Sequence, residues 1–238
     1  MPPTFTDSPQ TTARLAGVLW LIVILVSIAA VVGGPSPNLR GSPAEFAASV
    51  LAAETAYRLA FAAIFLGSVC YLGVTALLYE LLRPVNRSLA LFGAFAGVAG
   101  IVVGAASAVG EMGAIALLKD ASHAAPGVAN QLQTIAQVSL RAPEFAVGMV
   151  WFGCQIAAIG FLILRSTFLP RIIGGILILG GSSYVITSFA TFVAPAIGAQ
   201  LAPLVIPIAI LGEGTLTLWL VIRGVNVERW REVAAMRE

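Results

Sequence analysis

Apolar residues fill this chain in long blocks, broken by short polar or basic interruptions. The blocks fall at about residues 15–32, 57–82, 89–111, 145–164, 172–193 and 201–222. A helix rises about 1.5 Å per residue, so roughly twenty apolar residues cross the hydrocarbon core of a bilayer. Each block meets that length. The pattern predicts an all-α, polytopic transmembrane helix bundle of six spans. Polar positions inside the blocks recur at helical spacing. Ser68, Tyr71, Thr75 and Tyr79 share one face of the second span, and Tyr184, Thr187, Ser188 and Thr191 one face of the fifth. Such stripes face the bundle interior more often than lipid.

The interruptions carry their own signals. Residues 1–13 are polar and read as a disordered tail ahead of a transmembrane domain over 14–226. Gly33–Arg40 reads as a turn leaving the membrane. Ser42-Pro43-Ala44-Glu45 joins an N-cap serine, a proline at the first helical position and a capping-box glutamate, which predicts a short surface helix. A second short helix is expected around Asn130–Leu140, within a mixed loop, and the segment APAIGAQ before the last span reads as a turn. Residues 227–238 form a basic tail. In the third span Gly93, Gly97, Gly100 and Gly104 recur at spacings of four and three, a face that lets another helix approach closely. The same face would also serve association of two copies into a homo-oligomer.

Composition narrows the class. The chain has 238 residues, 59% hydrophobic and 10% charged, against about a quarter charged in soluble domains. A formal net charge of +2 with scattered basic residues gives no footprint for nucleic acid. The expected partner is the lipid bilayer. A retained first span is favoured over a cleaved signal peptide, whose apolar core is shorter and follows a more basic leader. Cys70 and Cys154 lie in apolar spans and read as reduced thiols rather than a disulfide. With one histidine, His123, bis-histidine haem and histidine-rich metal sites are excluded, and no cofactor or metal is expected.

Charge placement sets the orientation. Arg14, Arg83, Arg87, Arg165, Arg171, Arg223, Arg229, Arg231 and Arg237 fall on one side; only Arg40, Arg58, Lys119 and Arg141 fall on the other. The positive-inside rule then predicts both termini in the cytoplasm.

The last span holds the best candidate for chemistry. LAPLVIPIAILGEGTLTLWLVI places Glu213 about 18 Å from its start, slightly past mid-depth. An acid at the bilayer centre costs roughly 2.5 to 3.5 kcal/mol, which the surrounding Leu, Ile and Val residues offset. Gly212 and Gly214 flank it, Thr217 lies one turn on, and Pro207 should kink the helix before it. Gln155, Tyr184, Tyr71 and Ser68 lie at comparable depths and are candidate partners in a polar site. Glu111 and Glu144 are candidates for its outer mouth. Ordinary interhelical hydrogen bonding is the plainer account of such residues. Enzyme motifs are absent: there is no phosphate loop, no Gly-x-Ser-x-Gly elbow and no His-Glu-x-x-His, so the chain does not read as an enzyme.

Four stretches together carry a family resemblance: Arg14-Leu15-Ala16-Gly17, the turn Leu82–Ala90, Phe168-Leu169-Pro170-Arg171, and Gly212-Glu213 with Leu216–Leu220. The chain resembles, over roughly residues 14–226, a bacterial integral membrane family catalogued as domain of unknown function 4386. The resemblance implies a multi-helix bundle in a bacterial inner membrane and no assigned activity. It also implies a histidine in the fourth span of many members. Gln155 stands in that region here, so no histidine-dependent metal or haem role carries over.

Two functions remain open from the sequence. One is an inner-membrane protein that binds or moves a small solute or proton at a polar site around Glu213. The other is a structural or regulatory membrane protein with no substrate, in which Glu213 serves helix packing.

Overall fold

Ten α-helices make up almost all of the described chain, and no strand occurs among the described residues. The computed structural model describes residues 8–33, 41–140 and 144–236, and leaves out the side chains of residues 31–33, 144, 145 and 206. The helices are α1 (Pro9–Gly33), α2 (Pro43–Ala52), α3 (Glu54–Leu82), α4 (Arg87–Ala121), α5 (Pro126–Ser139), α6 (Glu144–Arg165), α7 (Arg171–Val193), α8 (Pro195–Ala209), α9 (Thr215–Ile222) and α10 (Val227–Ala235). A π-helical turn, Ile210–Gly214, joins α8 to α9. Six of these stretches are long and apolar enough to cross a membrane, the last built from α8, the π turn and α9.

Spans consecutive in sequence pack side by side: α1 on α3, α3 on α4, α4 on α6, α6 on α7, and α7 on α8. The contact of α9 with α1 closes the ring. The start of α1 and the end of α9 therefore meet at one end, which also holds the turns at 83–86 and 166–170. We call it the basic end. There Gln10 donates to the Arg223 carbonyl at 3.0 Å and accepts from the Val225 N–H at 3.0 Å.

Several boundaries differ from those read from the sequence, among them the third span, which runs on in α4 to Ala121 instead of ending near 111. α1 starts at Pro9 instead of after residue 13, because Thr12 and Ala13 are buried and Gln10 is tied to the last span. The segment APAIGAQ is no turn from Pro195 onward: α8 begins there, because proline is tolerated in a first helical turn, where its missing N–H is an orphan anyway. The basic tail holds a helix, α10, capped by Asn226, whose Trp230 indole donates to the Leu81 carbonyl at 2.8 Å. The short helix expected around Asn130–Leu140 is α5, which starts earlier at Pro126. The proposed tail over residues 1–7 and most of the Gly33–Arg40 turn lie outside the described residues.

Local chemistry explains several helix starts. Ser42 and Glu45 form both bonds of the capping box ahead of α2. The Asn86 side chain accepts from the Leu89 N–H, so α4 begins one turn after α3 ends. Gly224, at φ 70°, lets the chain turn back from α9 across the basic end.

Glycine sets how closely the spans approach. In α4, Gly93, Gly97 and Gly100 face α6; a Cβ on Gly97 would strike the Gln155 amide, and one on Gly100 would sit 2.8 Å from the Phe152 ring. Gly104 continues the spacing but meets nothing within 4 Å among the described residues. The tightest approach is one the glycine pattern of the third span did not reveal. Gly153 and Gly160 of α6 stand against Gly181 and Gly174 of α7, where an added Cβ would lie 2.5 to 2.7 Å from the opposing carbonyl oxygen. Seven-residue spacing on both helices brings the two pairs into register.

Two separate cores result. The larger runs from the basic end to mid-bundle and includes Trp20, Tyr71, Leu78, Leu82, Ile163, Leu177, Leu216 and Leu220. The smaller joins α2 and α5 to the far end of α4 through Phe46, Val50, Ile115, Leu118 and Ala136. We call that far end the cap end. Lys119 and Arg58 both pair with Glu54 there at 2.8 Å.

Candidate functional site

Counting helical rise from the basic end puts Trp20, Tyr71, Gln155, Tyr184 and Glu213 all about 13 to 20 Å deep, near the middle of the bundle. Ring closure turns five of the spans toward that level, and the polar residues found there form two groups of different character.

The first group is closed. The Tyr71 hydroxyl donates to Gln155 Oε1 at 3.0 Å, and Gln155 Nε2 donates to Thr75 Oγ1 at 3.0 Å. All three residues are buried. The amide thus uses both ends, and it fits only because Gly97 of α4 leaves room for it. This network ties α3 to α6 across the ring. Beside it, Thr75, Tyr79, Gly93 and Gln155 border a small cavity of about 10 Å³, open to the centre of about one water molecule.

The second group is open. Glu213 stands on the π turn, an arrangement seen often where a helix carries function. One residue too many for an α-helical turn rotates the last span at this point, and Thr215 Oγ1 donates to the Leu211 carbonyl. Pro203 and Pro207, whose N–H groups are missing, precede it inside α8. The Tyr184 hydroxyl donates to Glu213 Oε1 at 2.7 Å. The Trp20 indole lies beside the same carboxyl, its Nε1 buried and short of full hydrogen-bond geometry. Tyr71 is also within electrostatic reach of the acid. Thr217 Oγ1, four residues beyond Glu213, is fully buried and has no partner. No ion pair reaches Glu213 among the described residues.

Edge-to-face aromatic contacts join the two groups. Trp20 meets Tyr71 with ring centroids 6.1 Å apart, and Tyr71 meets Phe152 at 5.2 Å. Five helices, α1, α3, α6, α7 and the last span, thereby contribute to one polar and aromatic centre.

The residues singled out from the sequence divide accordingly. Tyr71, Gln155, Tyr184 and Glu213 come to the mid-bundle level; Thr217 lies nearer the basic end, about 7.5 Å from the end of α9. Ser68 does not join them: its hydroxyl donates to the Ile64 carbonyl of its own helix. Glu111 is exposed on α4, near Tyr57, about 21 Å along the axis from the Gly97–Gln155 contact. Glu144 begins α6, and its side chain lies outside the described residues. Gly93, Gly97 and Gly100 pack, with Gly97 also shaping the closed network; Gly104 does not. Trp20 was missed. A signal existed, since Ala13, Ala16, Gly17 and Trp20 put small residues and one indole on a single helical face, but a lone tryptophan in an apolar span is hard to tell from core.

Cys70 and Cys154 are free thiols. Among the described residues, no group of three or more His, Cys, Asp and Glu side chains gathers as a metal site would require.

The chain matches the family described as Domain of unknown function (DUF4386) over residues 15–224. It belongs to that family, and it is a multi-pass integral membrane protein by its spans. No curated protein and no solved structure matches it.

Proposed function

We propose that this protein binds a proton or a small cationic solute reversibly at Glu213, with the surrounding spans holding the acid at mid-depth in the membrane. One observation carries the reading: a carboxyl stands at the centre of the bundle with no cationic partner among the described residues. A half-buried acid at mid-membrane without a counter-charge is stabilised by taking a proton or by drawing in a cation from outside the chain. The titratable groups facing it are Tyr184 from α7, whose hydroxyl donates to it, and Tyr71 from α3, whose hydroxyl donates to Gln155. Trp20 from α1 adds an uncharged N–H.

The rival reading, packing without substrate, has its own support in the Tyr71–Gln155–Thr75 network, where the amide is satisfied at both ends. That network is best read as structural glue. The Glu213 group differs, because Thr217 Oγ1, one turn on, is left without a partner among the described residues and Trp20 Nε1 meets the carboxyl short of full hydrogen-bond geometry. Unpaired buried polar atoms are costly for packing and useful for binding. The proposal includes a bacterial inner membrane as the location, with the basic end and both chain ends in the cytoplasm.

Infrared difference spectroscopy on protein in liposomes tests this. Wild type should show a carboxyl band that is absent from Glu213→Gln and that changes as proton or cation concentration is varied across neutral pH. A Glu213 band unmoved under every condition, with matching proton and cation fluxes in wild type and Glu213→Gln, would leave the packing reading standing.

A further inference from the structure

The last span meets α1 on one side of Glu213 and leaves it on the other. On the side of the basic end, α9 packs on α1, and a Cβ on Gly17 would fall 2.9 Å from the Val221 backbone nitrogen. Beyond the π turn, α8 packs on α7 and the π turn, and no comparable contact with α1 or α3 exists among the described residues. Only Gly198 and Ala209 are buried among the α8 side chains described. No described side chain of α1 past Trp20 is buried, nor any of α3 before Gly67. A gap therefore opens between α1 and α8 in the half of the bundle toward the cap end. Glu213 lies at its floor and is half-buried, as is Tyr184.

The walls decide what can travel through this gap. Residues 21–30 of α1, LIVILVSIAA, and all of α8, PAIGAQLAPLVIPIA, carry no charged side chain. Their only polar side chains are Ser27 and Gln200. A hydrated ion would be stripped against such walls without replacement ligands, whereas an alkyl chain would exchange one apolar surface for another. At the floor the chemistry changes to a carboxyl and the rings of Trp20 and Tyr184. Acceptor oxygens and aromatic rings without a fixed cation match the needs of an ammonium group. The side toward the basic end is sealed by Leu78, Leu82, Leu216 and Leu220, each 3% exposed or less.

We infer that Glu213 takes a lipid-soluble amine, one protonated nitrogen on an apolar tail, which reaches it sideways from the bilayer between α1 and α8. This rests on the reading of Glu213 as a cation-binding group and adds the ligand class and its route. The nitrogen hydrogen-bonds to the Glu213 carboxylate, while the tail stays in the gap.

A photoactivatable diazirine on the tail of a C14 primary amine tests the idea on full-length protein in lipid nanodiscs. Labelled positions are mapped by peptide mass spectrometry, with unlabelled tetradecylamine, tetradecanol or ammonium ion as competitors. Labelling should concentrate on residues 21–30 of α1 and on α8. Tetradecylamine should remove it, equimolar tetradecanol should not, and Glu213→Gln should lower it at least tenfold. Labelling spread over all lipid-facing helices and indifferent to Glu213→Gln would overturn the proposal, even where the infrared band of Glu213 still responds to protons. Competition by ammonium ion as effective as by tetradecylamine would overturn the lipid-soluble class and the lateral route, leaving a site for a small ion.

Discussion

Toward the basic end the six spans close on one another through glycine contacts, a leucine-rich core and hydrogen bonds between distant turns; toward the cap end the same spans part. Hydropathy alone does not explain the difference, since all six spans are apolar enough to cross a membrane. Small residues in register do. Between lipid-soluble surfaces there is no hydrophobic force to favour one contact over another, so close approach and hydrogen bonding must hold helices together. The basic half has both, in Gly153, Gly160, Gly174 and Gly181, in Gly17, and in the Gln10 and Trp230 bonds. Between α1 and α8 the far half shows neither among the described residues. The polar centre sits where one regime gives way to the other.

Substitutions can break that contrast, and the largest effect is expected at the α6–α7 pair. Gly181→Leu drives a side chain into the Gly153 carbonyl and the Ala157 backbone, and should destabilise by about 3 kcal/mol or more. Gly104→Leu, where nothing lies within 4 Å, should leave the thermal unfolding midpoint unchanged. Equal losses at both positions would show that register in the basic half is not what holds the spans. Next comes Gln155→Leu, which strands the Tyr71 hydroxyl and Thr75; a loss of about 1 to 3 kcal/mol in reversible denaturant unfolding is expected. Removing one neutral hydrogen bond by Trp230→Phe should cost about 1 kcal/mol, seen as earlier release of α10 in hydrogen exchange.

The smallest effect sharpens the comparison at the polar centre itself. Thr217→Val deletes a buried hydroxyl that has no partner, so stability should change by less than about 0.5 kcal/mol in either direction. A large loss would mean the hydroxyl is bonded in the membrane, and the open character of the Glu213 group would fall with it. Spin labels offer a direct view without touching stability. A pair on Ser27 and Leu204 should report a broad distance distribution across the gap, while a pair on Arg14 and Arg223 should report a narrow one.

Much of the architecture was legible because membrane spans are read from length and hydropathy, which survive any detail of packing. The capping box at Ser42 and the face shared by Tyr71 and Thr75 were equally readable, since both depend on local spacing. Rotation between helices was not. Ser68 shares the Tyr71 face by spacing, yet it bonds to its own helix. Gly104 fits the glycine period of α4 but meets no neighbour. The π turn was also hidden, for a sequence with Pro207, Gly212 and Gly214 announces a disturbed helix without saying how the extra residue is absorbed. Trp20 entered the centre through contacts with spans 51 and 193 residues away in Tyr71 and Glu213, which no local pattern encodes.

The bond between Gln10 and the chain 213 and 215 residues later has a consequence for biosynthesis. α1 leaves the ribosome well before α9 and finds its closing partner only when α9 has been made. Until then the nascent protein lies in the bilayer as an open arc, with the Trp20 face of α1 turned to acyl chains. Such an arc would aggregate in water. In lipid it can wait, because an apolar helix face loses little by touching a hydrocarbon tail instead of another helix. Assembly therefore ends with a docking step instead of a collapse, and a ribosome stalled before α9 would leave a stable, unclosed intermediate for quality-control proteases to recognise.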